Sequence, residues 1–530
     1  MKRDTSCGHV LDVAIVGGGV SGLYSAWRLL TDSGDAPPTV AVFEGSGRVG
    51  GRLLSVTPPG LPQGRVELGG MRYTTGHIRV KSLVDYLGLA TAPFAVSEDA
   101  NVAYLRGHRL RTADLTDAQK LPYVLSTEEQ ASLSDGMTVL AAQRFLQKVL
   151  HQPHVDLNKV PWTELARSGR YEGHLLRDLS MRYVYNRSVS HEAFQFAEDT
   201  SGYDSIYFTW NAVDGFPWNL ADYGRTVSYE RLVQGYATLP ETLAERVEAA
   251  GGHIHLHTRL TRFDRVHLVD GSPAIELHFQ HGEQERVLLA RKLILAMPRR
   301  SLELLDQSGA VLAPEHRHVH ELIESVEPIP LFKLALCYRT RWWEKLGITQ
   351  GQSVTDLPIR KCYYWPVGDQ AQGGAILIYN DVLDMDYWTD LRKHPLKFAQ
   401  PPDDSGLEPS PWADYPAPAV MVEEAHRQLL IMHGVEDHPD LRPYAAAYRD
   451  WGEDPFGGGA NFWRQYVESY DVAHRIVQPV PGVAVYICGE AYSHDQGWVE
   501  GALATAEDML QRCLGLPPPP FMPGEGQSRS

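Results

Sequence analysis

The chain has 530 residues, too many for one hydrophobic core, so two or three domains are expected. A hydrophobic content of 43% and a charged content of 22% suit an ordinary globular protein, and the net charge of −17 argues against a nucleic-acid partner, whose phosphates need a basic footprint. No apolar run reaches the roughly 18 residues of a membrane span, and the N-terminus has no signal-peptide core. The five cysteines (Cys7, Cys337, Cys362, Cys488 and Cys513) are scattered without metal or CxxC spacing. These features lead to an expectation of a cytoplasmic protein with reduced thiols, no metal and no membrane partner.

Residues 11–44 read as a βαβ unit. "LDVAIV" is a short buried strand and "GGGVSG" a tight turn. "VSGLYSAWRLL" is a helix with Val20, Leu23, Trp27 and Leu30 on one face, and "TVAVFE" is the next strand. From 113 to 230 the pattern turns helical and irregular, including "EEQASLSDGMTVLAAQRFLQKVL", as an insertion would. Then "LVQGYATLPETLAERVEAAGG" predicts a helix, "HIHLHTRLTRFDRV" an alternating strand and "KLILAMP" a buried strand. Strands follow at "LFKLALCYR", "KCYYWPV" and "GGAILIYN", and a helix at "VMVEEAHRQLLIMHG". "PGVAVYICGEAY" and "WVEGALATAEDMLQRCLG" give a last strand and helix, before a Pro/Gly-rich end over 517–530 that is expected to be disordered.

The "GGGVSG" turn fits G-x-G-x-x-G through Gly17, Gly19 and Gly22, with Ser21 at the helix start. In this strand–turn–helix setting the glycines let a pyrophosphate approach the backbone and the helix N-terminus. Glu44 closes the second strand 22 positions beyond Gly22, where a ribose hydroxyl needs an acceptor, and Gly45 follows it. After it comes "GSGRVGGRL", so that Glu44, Arg48, Gly50, Gly51 and Arg52 form E-x3-R-x-G-G-R. This string resembles the flavin amine oxidase superfamily. The resemblance implies that Arg48 and the glycine pair shape the flavin cleft and that Arg52 reaches the cofactor's phosphates.

The far end agrees, because "CGEAYSHDQGWVEGALATAEDML" resembles the same family's closing motif. In it Glu490 would bond the ribityl or pyrophosphate region, and Gly497, Trp498 and Val499 would lie against the isoalloxazine. "LVQGYATLP" and "ILAMP" match lesser markers, and Leu260 stands where a backbone contact to adenine is expected. The cofactor implied is FAD, held noncovalently, since residues 450–487 contain no cysteine to attach it.

"VELGGMRYTT" raises the question of substrate. Gly69, Gly70, Met71 and Arg72 resemble a stretch of the L-amino-acid oxidase branch that passes over the flavin. Its arginine binds the substrate's α-carboxylate, a role suited to a planar two-pronged guanidinium; a structural ion pair is the alternative. "PLFKLALCYRTRWWEKLGITQGQSVTDLPIRKCYYWPV" resembles that branch's substrate domain. There Lys333 would be the lysine near flavin N5, where a positive charge helps O2 accept electrons. Tyr379 resembles the tyrosine that also touches the carboxylate, and Trp498 a wall of the amine's cage. Tyr203, Tyr207, Phe208, Trp210 and Trp218, with Asp204 and Asp214, crowd one part of the insertion. They are either side-chain pocket or insertion core. Some relatives have been assigned a helical-domain histidine as base; the sequence assigns that role to no particular one of the 22 histidines, and His174, His191 and His494 read as surface or structural residues.

The fold expected is α/β. A FAD-binding, Rossmann-like domain of the glutathione-reductase type would occupy 1–75, 231–310 and 480–516. An α+β substrate-binding domain would take 76–112 and 311–479, and a helical domain 113–230. The function implied is oxidative deamination of an L-amino acid to a 2-oxo acid, ammonia and peroxide. A decarboxylating 2-monooxygenase, an oxidase of carboxylate-free amines and a noncatalytic flavin-binding protein stay open. A small amino acid and O2 are the expected partners, and a homodimer is an open assembly.

Overall fold

The computed structural model describes residues 10–34, 36–208, 210–222, 227–309, 311–365, 373–381, 385–401 and 411–522. Two seven-stranded sheets organise them. The first runs in the order His253–His255, Val40–Phe43, Leu11–Val16, Gln284–Leu295, Pro273–His281 and Thr258–His267, with Val485–Ile487 also paired to Gln284–Leu295. Its centre is parallel and its Pro273–His281 side antiparallel. The apolar runs "VAIV" and "LIL" are what a strand covered on both faces requires. One cover is the helix Val20–Asp32, which packs against the helices Thr238–Ala249 and Val499–Leu514.

The second sheet runs Ala445–Asp450, Leu331–Tyr338, Gly374–Asp381, Lys361–Trp365, Gln352–Thr355, Val102–Leu105 and His108–Arg111. All its pairs are antiparallel except Gln352–Thr355 with Val102–Leu105. The register sets Lys333 between Tyr379 on one neighbour and Arg449 on the other, so the three side chains share a face.

Helices populate 127–222, and their rings interlock: Phe145 meets Phe216 at 4.5 Å, and Tyr185 meets Phe194 at 5.3 Å and Tyr207 at 5.7 Å. Such pairs are worth about 0.5–1.5 kcal/mol each beyond burial. Tyr207 and Trp210 are buried in this core, while the side chain of Phe208 lies outside the described residues.

Several elements differ from the sequence expectation. The helical, irregular stretch over 128–150 resolves into two helices, Thr127–Ala131 and Met137–Leu150, with Gly136 turning the chain between them at φ +90. The helix expected from Leu232 begins only at Thr238, since Tyr229–Leu232 is a strand. The strand expected over 253–266 is broken between His255 and Thr258, with His257 left-handed at φ 51. Residues 517–522, expected to be disordered, are packed: Pro517 O accepts from Arg28 at 2.6 Å, and Phe521 stacks on Trp27 at 6.0 Å. The expected disorder of 523–530 lies outside the described residues.

Candidate active site

A cavity of about 1130 Å³ runs from the C-terminal ends of Leu11–Val16 and Val40–Phe43 to the face of the second sheet that carries Lys333. That is above the usual 300–1,000 Å³ of a small-molecule pocket. Every residue singled out from the sequence as a site residue lines it except Gly22.

Gly22 works beneath the surface. A Cβ there would stand 2.0 Å from Gly17 O, so its glycine lets the helix seat against the first strand. Gly19 is the opposite case. An added Cβ would meet no described protein atom nearer than Gly51 Cα at 4.0 Å, so the space it leaves is cavity. The helix N-terminus Val20–Asp32 opens beside that space with no side-chain cap bond, which suits an anion there. Glu44 is held in place: Oε2 accepts from Gly18 N and Oε1 from Ser46 N, both at 2.8 Å.

The two arginines of the glycine-pair loop differ. Arg48 donates to Val49 O at 3.0 Å, Leu53 O at 2.9 Å and Gly51 O at 2.5 Å, folding the loop onto itself. Arg52 donates to Gly459 O at 3.1 Å and Glu490 Oε2 at 2.7 Å. Glu490 also accepts from Asn461 N at 3.0 Å and Gly497 N at 2.7 Å through Oε1. Arg52 and Glu490 therefore join the first and last motifs, and Glu490 fixes the turn that presents Trp498. Trp498 itself meets His77 edge-on at 4.8 Å and leads into the helix Val499–Leu514.

At the other end Arg72 is 4% exposed, and among the described residues neither its Nε nor its Nη1 has a hydrogen-bond partner. It is caged by Tyr229 at 4.3 Å, Phe94 at 5.3 Å and Tyr363 at 5.9 Å from ring centroids. A guanidinium stays charged when buried, and leaving its donors unmatched is costly. An acceptor arriving through the cavity answers that cost. Lys333 is buried and donates to Gly69 O, with its Nζ 5.0 Å from the Tyr379 ring. Burial pushes the lysine's pKa down, Glu67 opposes this, and Arg72 adds to it. Tyr379 crosses Tyr203 edge to face at 5.2 Å.

The insertion contributes only part of what its composition offered. Tyr203, Ser205, Ile206 and Trp218 line the cavity. Asp204 is spent on Arg360 at 3.0 Å, and Asp214 accepts from Asn211 Nδ2 at 2.7 Å and Ser469 Oγ at 2.8 Å; neither lines the cavity. The insertion's acid that does line it, Asp222, was not singled out from the sequence. It ends the helix Ala212–Asp222, and only its place four residues after Trp218, on the same helix face, could have signalled it. His174, His191 and His494 are exposed and none of them lines this cavity, whereas His257 lines its nucleotide end. Arg449 and Trp451 are further lining residues that sequence reasoning passed over.

The residues fit a flavin dinucleotide in three respects: the open glycine cradle, the uncapped helix start and the cavity's length from Glu44 to Lys333. Among the described residues no cysteine lines the cavity, in keeping with a cofactor held without a covalent bond.

Comparison with known proteins agrees with this geometry. Aplysianin-A of Aplysia kurodai is 27% identical over 96% of this chain and 91% of its own length. Achacin of Lissachatina fulica is 25% identical over 96% and 94%. An L-amino-acid oxidase of Mus musculus is 22% identical over 93% and 69%. Among solved structures, cyclohexylamine oxidase from Brevibacterium oxydans IH-35A superposes with a TM-score of 0.65 at 17% identity, covering 96% of this chain and 100% of that one, which shows a shared fold. The family model of the flavin containing amine oxidoreductases matches residues 20–509, so the chain belongs to that family, and its cofactor is FAD.

Proposed function

We propose that the protein oxidatively deaminates an L-amino acid, with FAD as cofactor and O2 as oxidant. The observation that carries this reading is Arg72, a buried guanidinium with two unmatched nitrogens in the family's flavin cavity. An amine without a carboxylate would leave those donors unanswered. The similarity to an L-amino-acid oxidase of Mus musculus supports the same substrate class.

In this reading the substrate carboxylate docks on Arg72, and Tyr379 helps to fix it. Fixing one end of the substrate orients its Cα–H and can remove several kcal/mol of barrier by ending a positional search. Gly17, Gly19 and the helix start would hold the pyrophosphate, Glu44 the ribose, and the Gly497–Val499 turn the ring system. When bound, FAD would supply the acceptor for the hydride leaving Cα and the route for its electrons to O2. Lys333 stands on the sheet face beside Tyr379, where its proton would aid the oxygen step. Trp498, Trp218 and Tyr203 wall the amine side and exclude bulk water. The imine that forms is hydrolysed to a 2-oxo acid and ammonia.

The test is anaerobic bleaching of the flavin absorbance with separate L-amino acids and with amines that lack a carboxylate. Bleaching by some L-amino acids, then peroxide and a 2-oxo acid on aeration, is the expected result. Bleaching only by the amines would remove Arg72 from the role of carboxylate anchor. An amide of reduced mass in place of the 2-oxo acid would identify a monooxygenase.

A further inference from the structure

Oxidation of an amino acid needs the amine's lone pair, yet the free substrate arrives as an ammonium at neutral pH. A group in the cavity must take that proton, and none of the histidines considered from the sequence lines the cavity. Resting on the deamination reading, we propose that Asp222 is the proton acceptor for the substrate's α-ammonium.

The geometry is carried by one tyrosine. Tyr229 presents its ring to Arg72, whose Cζ lies 4.3 Å from the centroid, and its hydroxyl donates to Asp222, shared between the backbone O and Oδ1, the latter at 2.8 Å. The carboxylate anchor therefore lies over the ring and the acid at the hydroxyl of the same side chain, close neighbours as the carboxylate and amine are on one carbon of the substrate. Asp222 is 5% exposed and lines the cavity, and among the described residues nothing donates to its Oδ2. Tyr229 is itself fixed, since its strand Tyr229–Leu232 pairs with Tyr73–Thr74, directly after Arg72.

The charge balance points the same way. Counting Arg72 and the substrate alone, a bound zwitterion leaves a net positive charge at the anchor, beside a Lys333 whose charge Glu67 offsets. With ionised Asp222 the sum is zero, and it stays zero after the proton moves: R–CH(NH3+)COO− and Asp222–COO− become R–CH(NH2)COO− and Asp222–COOH. The N–H electron pair remains on nitrogen, where it can drive hydride loss from Cα. Net neutrality matters because uncompensated buried charge is costly. Burial raises the Asp222 pKa above the ordinary carboxylate value, against the pull of Arg72 and the Tyr229 hydroxyl and a smaller pull from Lys361. That brings it nearer to a working pH, as a general base requires. Among the described residues the charged and titratable groups facing it are Arg72, Tyr229, Tyr379 and Lys361, each from a different element.

The experiment uses FAD-loaded protein and an amino acid that bleaches it. Anaerobic stopped-flow reduction would be followed from acid to alkaline pH in the wild type, Asp222→Asn and Asp222→Glu. The wild-type rate should rise through an ionisation below that of the free substrate's ammonium. In Asp222→Asn the rise should move to alkaline pH, with a loss of roughly 10²-fold near neutrality and recovery at high pH. Asp222→Glu should keep much of the wild-type profile. A rate lowered equally at every pH, or a loss confined to KM for substrates with cationic side chains, would overturn the proposal.

Binding of benzoate, a carboxylate without an amine, gives a second readout on the wild type alone should Asp222→Asn fail to fold. Its Kd, read from the flavin spectrum, should rise with pH as Asp222 ionises beside it. A Kd independent of pH overturns the proposal. If no L-amino acid bleaches the wild type, the deamination reading itself has failed; if one does and only the profile stays put, this inference alone has failed.

Discussion

Arg72 shows how a single residue can combine a high energetic cost with a specific use. Its cage of Tyr229, Phe94 and Tyr363 removes water but supplies no acceptor for Nε or Nη1. Truncation to alanine removes the charge, and a substrate carboxylate would then be buried unmatched. The expected outcome for Arg72→Ala is a fall in kcat/KM worth about 3–5 kcal/mol, with FAD content unchanged because the guanidinium stands at the substrate end of the cavity. Arg72→Lys should recover only part of the loss, since an ammonium cannot make the paired contact. Steady-state kinetics and the flavin-to-protein absorbance ratio check both. Arg72 was legible in the sequence because it sits four residues into a glycine-marked stretch. Asp222 was not, because an acid at the end of an irregular helix has no spacing rule of its own, and Asp204 and Asp214 stood nearby with the same composition. Their partners Arg360 and Ser469 lie 156 and 255 positions away in the chain, respectively, and only folding assigns them.

Among the elements, those set by local rules were read well and those set by distant contacts were not. The strand Leu11–Val16, its glycine turn and the helix Val20–Asp32 follow from apolar runs and turn residues a few positions apart. The break at Gly136 and the left-handed His257 follow from packing and turn geometry that periodicity does not encode. Within the first unit, Gly22 is the tightest point, with Gly17 O at 2.0 Å and Ala296 Cβ at 3.2 Å from where a Cβ would stand. Both neighbours are anchored in the sheet, so the helix itself must shift. Gly22→Ala should cost about 1–3 kcal/mol by overpacking, outweighing the gain in helix propensity, and should also weaken FAD because the helix start moves. Chemical denaturation of the apoprotein separates the stability loss from the loss of cofactor. The variant fails this expectation if its midpoint equals the wild-type value.

At the scale of the whole molecule the cavity is bounded by both sheets, and Arg52 with Glu490 ties the two ends of the chain across it. A dinucleotide lying there would contact the first sheet at Gly17 and Glu44 and the second at Lys333. Removing it should therefore lower the melting temperature of the whole chain. Adding FAD at a hundred times its Kd should restore about 2.7 kcal/mol. Differential scanning calorimetry of the apo and reconstituted protein measures this, and an unchanged Tm would mean that FAD does not bind the native chain. The sequence by itself determined the family, the flavin and the order of the motifs, because each rests on short-range chemistry: glycines where a ligand nears the backbone, an acid at a strand end, an arginine in a fixed string. Tertiary structure decided which of many similar side chains face the cavity. It consumed Asp204, Asp214 and Glu490 in internal bonds and turned Asp222 inward. The reason is that pairing and burial depend on strand register and helix docking between residues hundreds of positions apart.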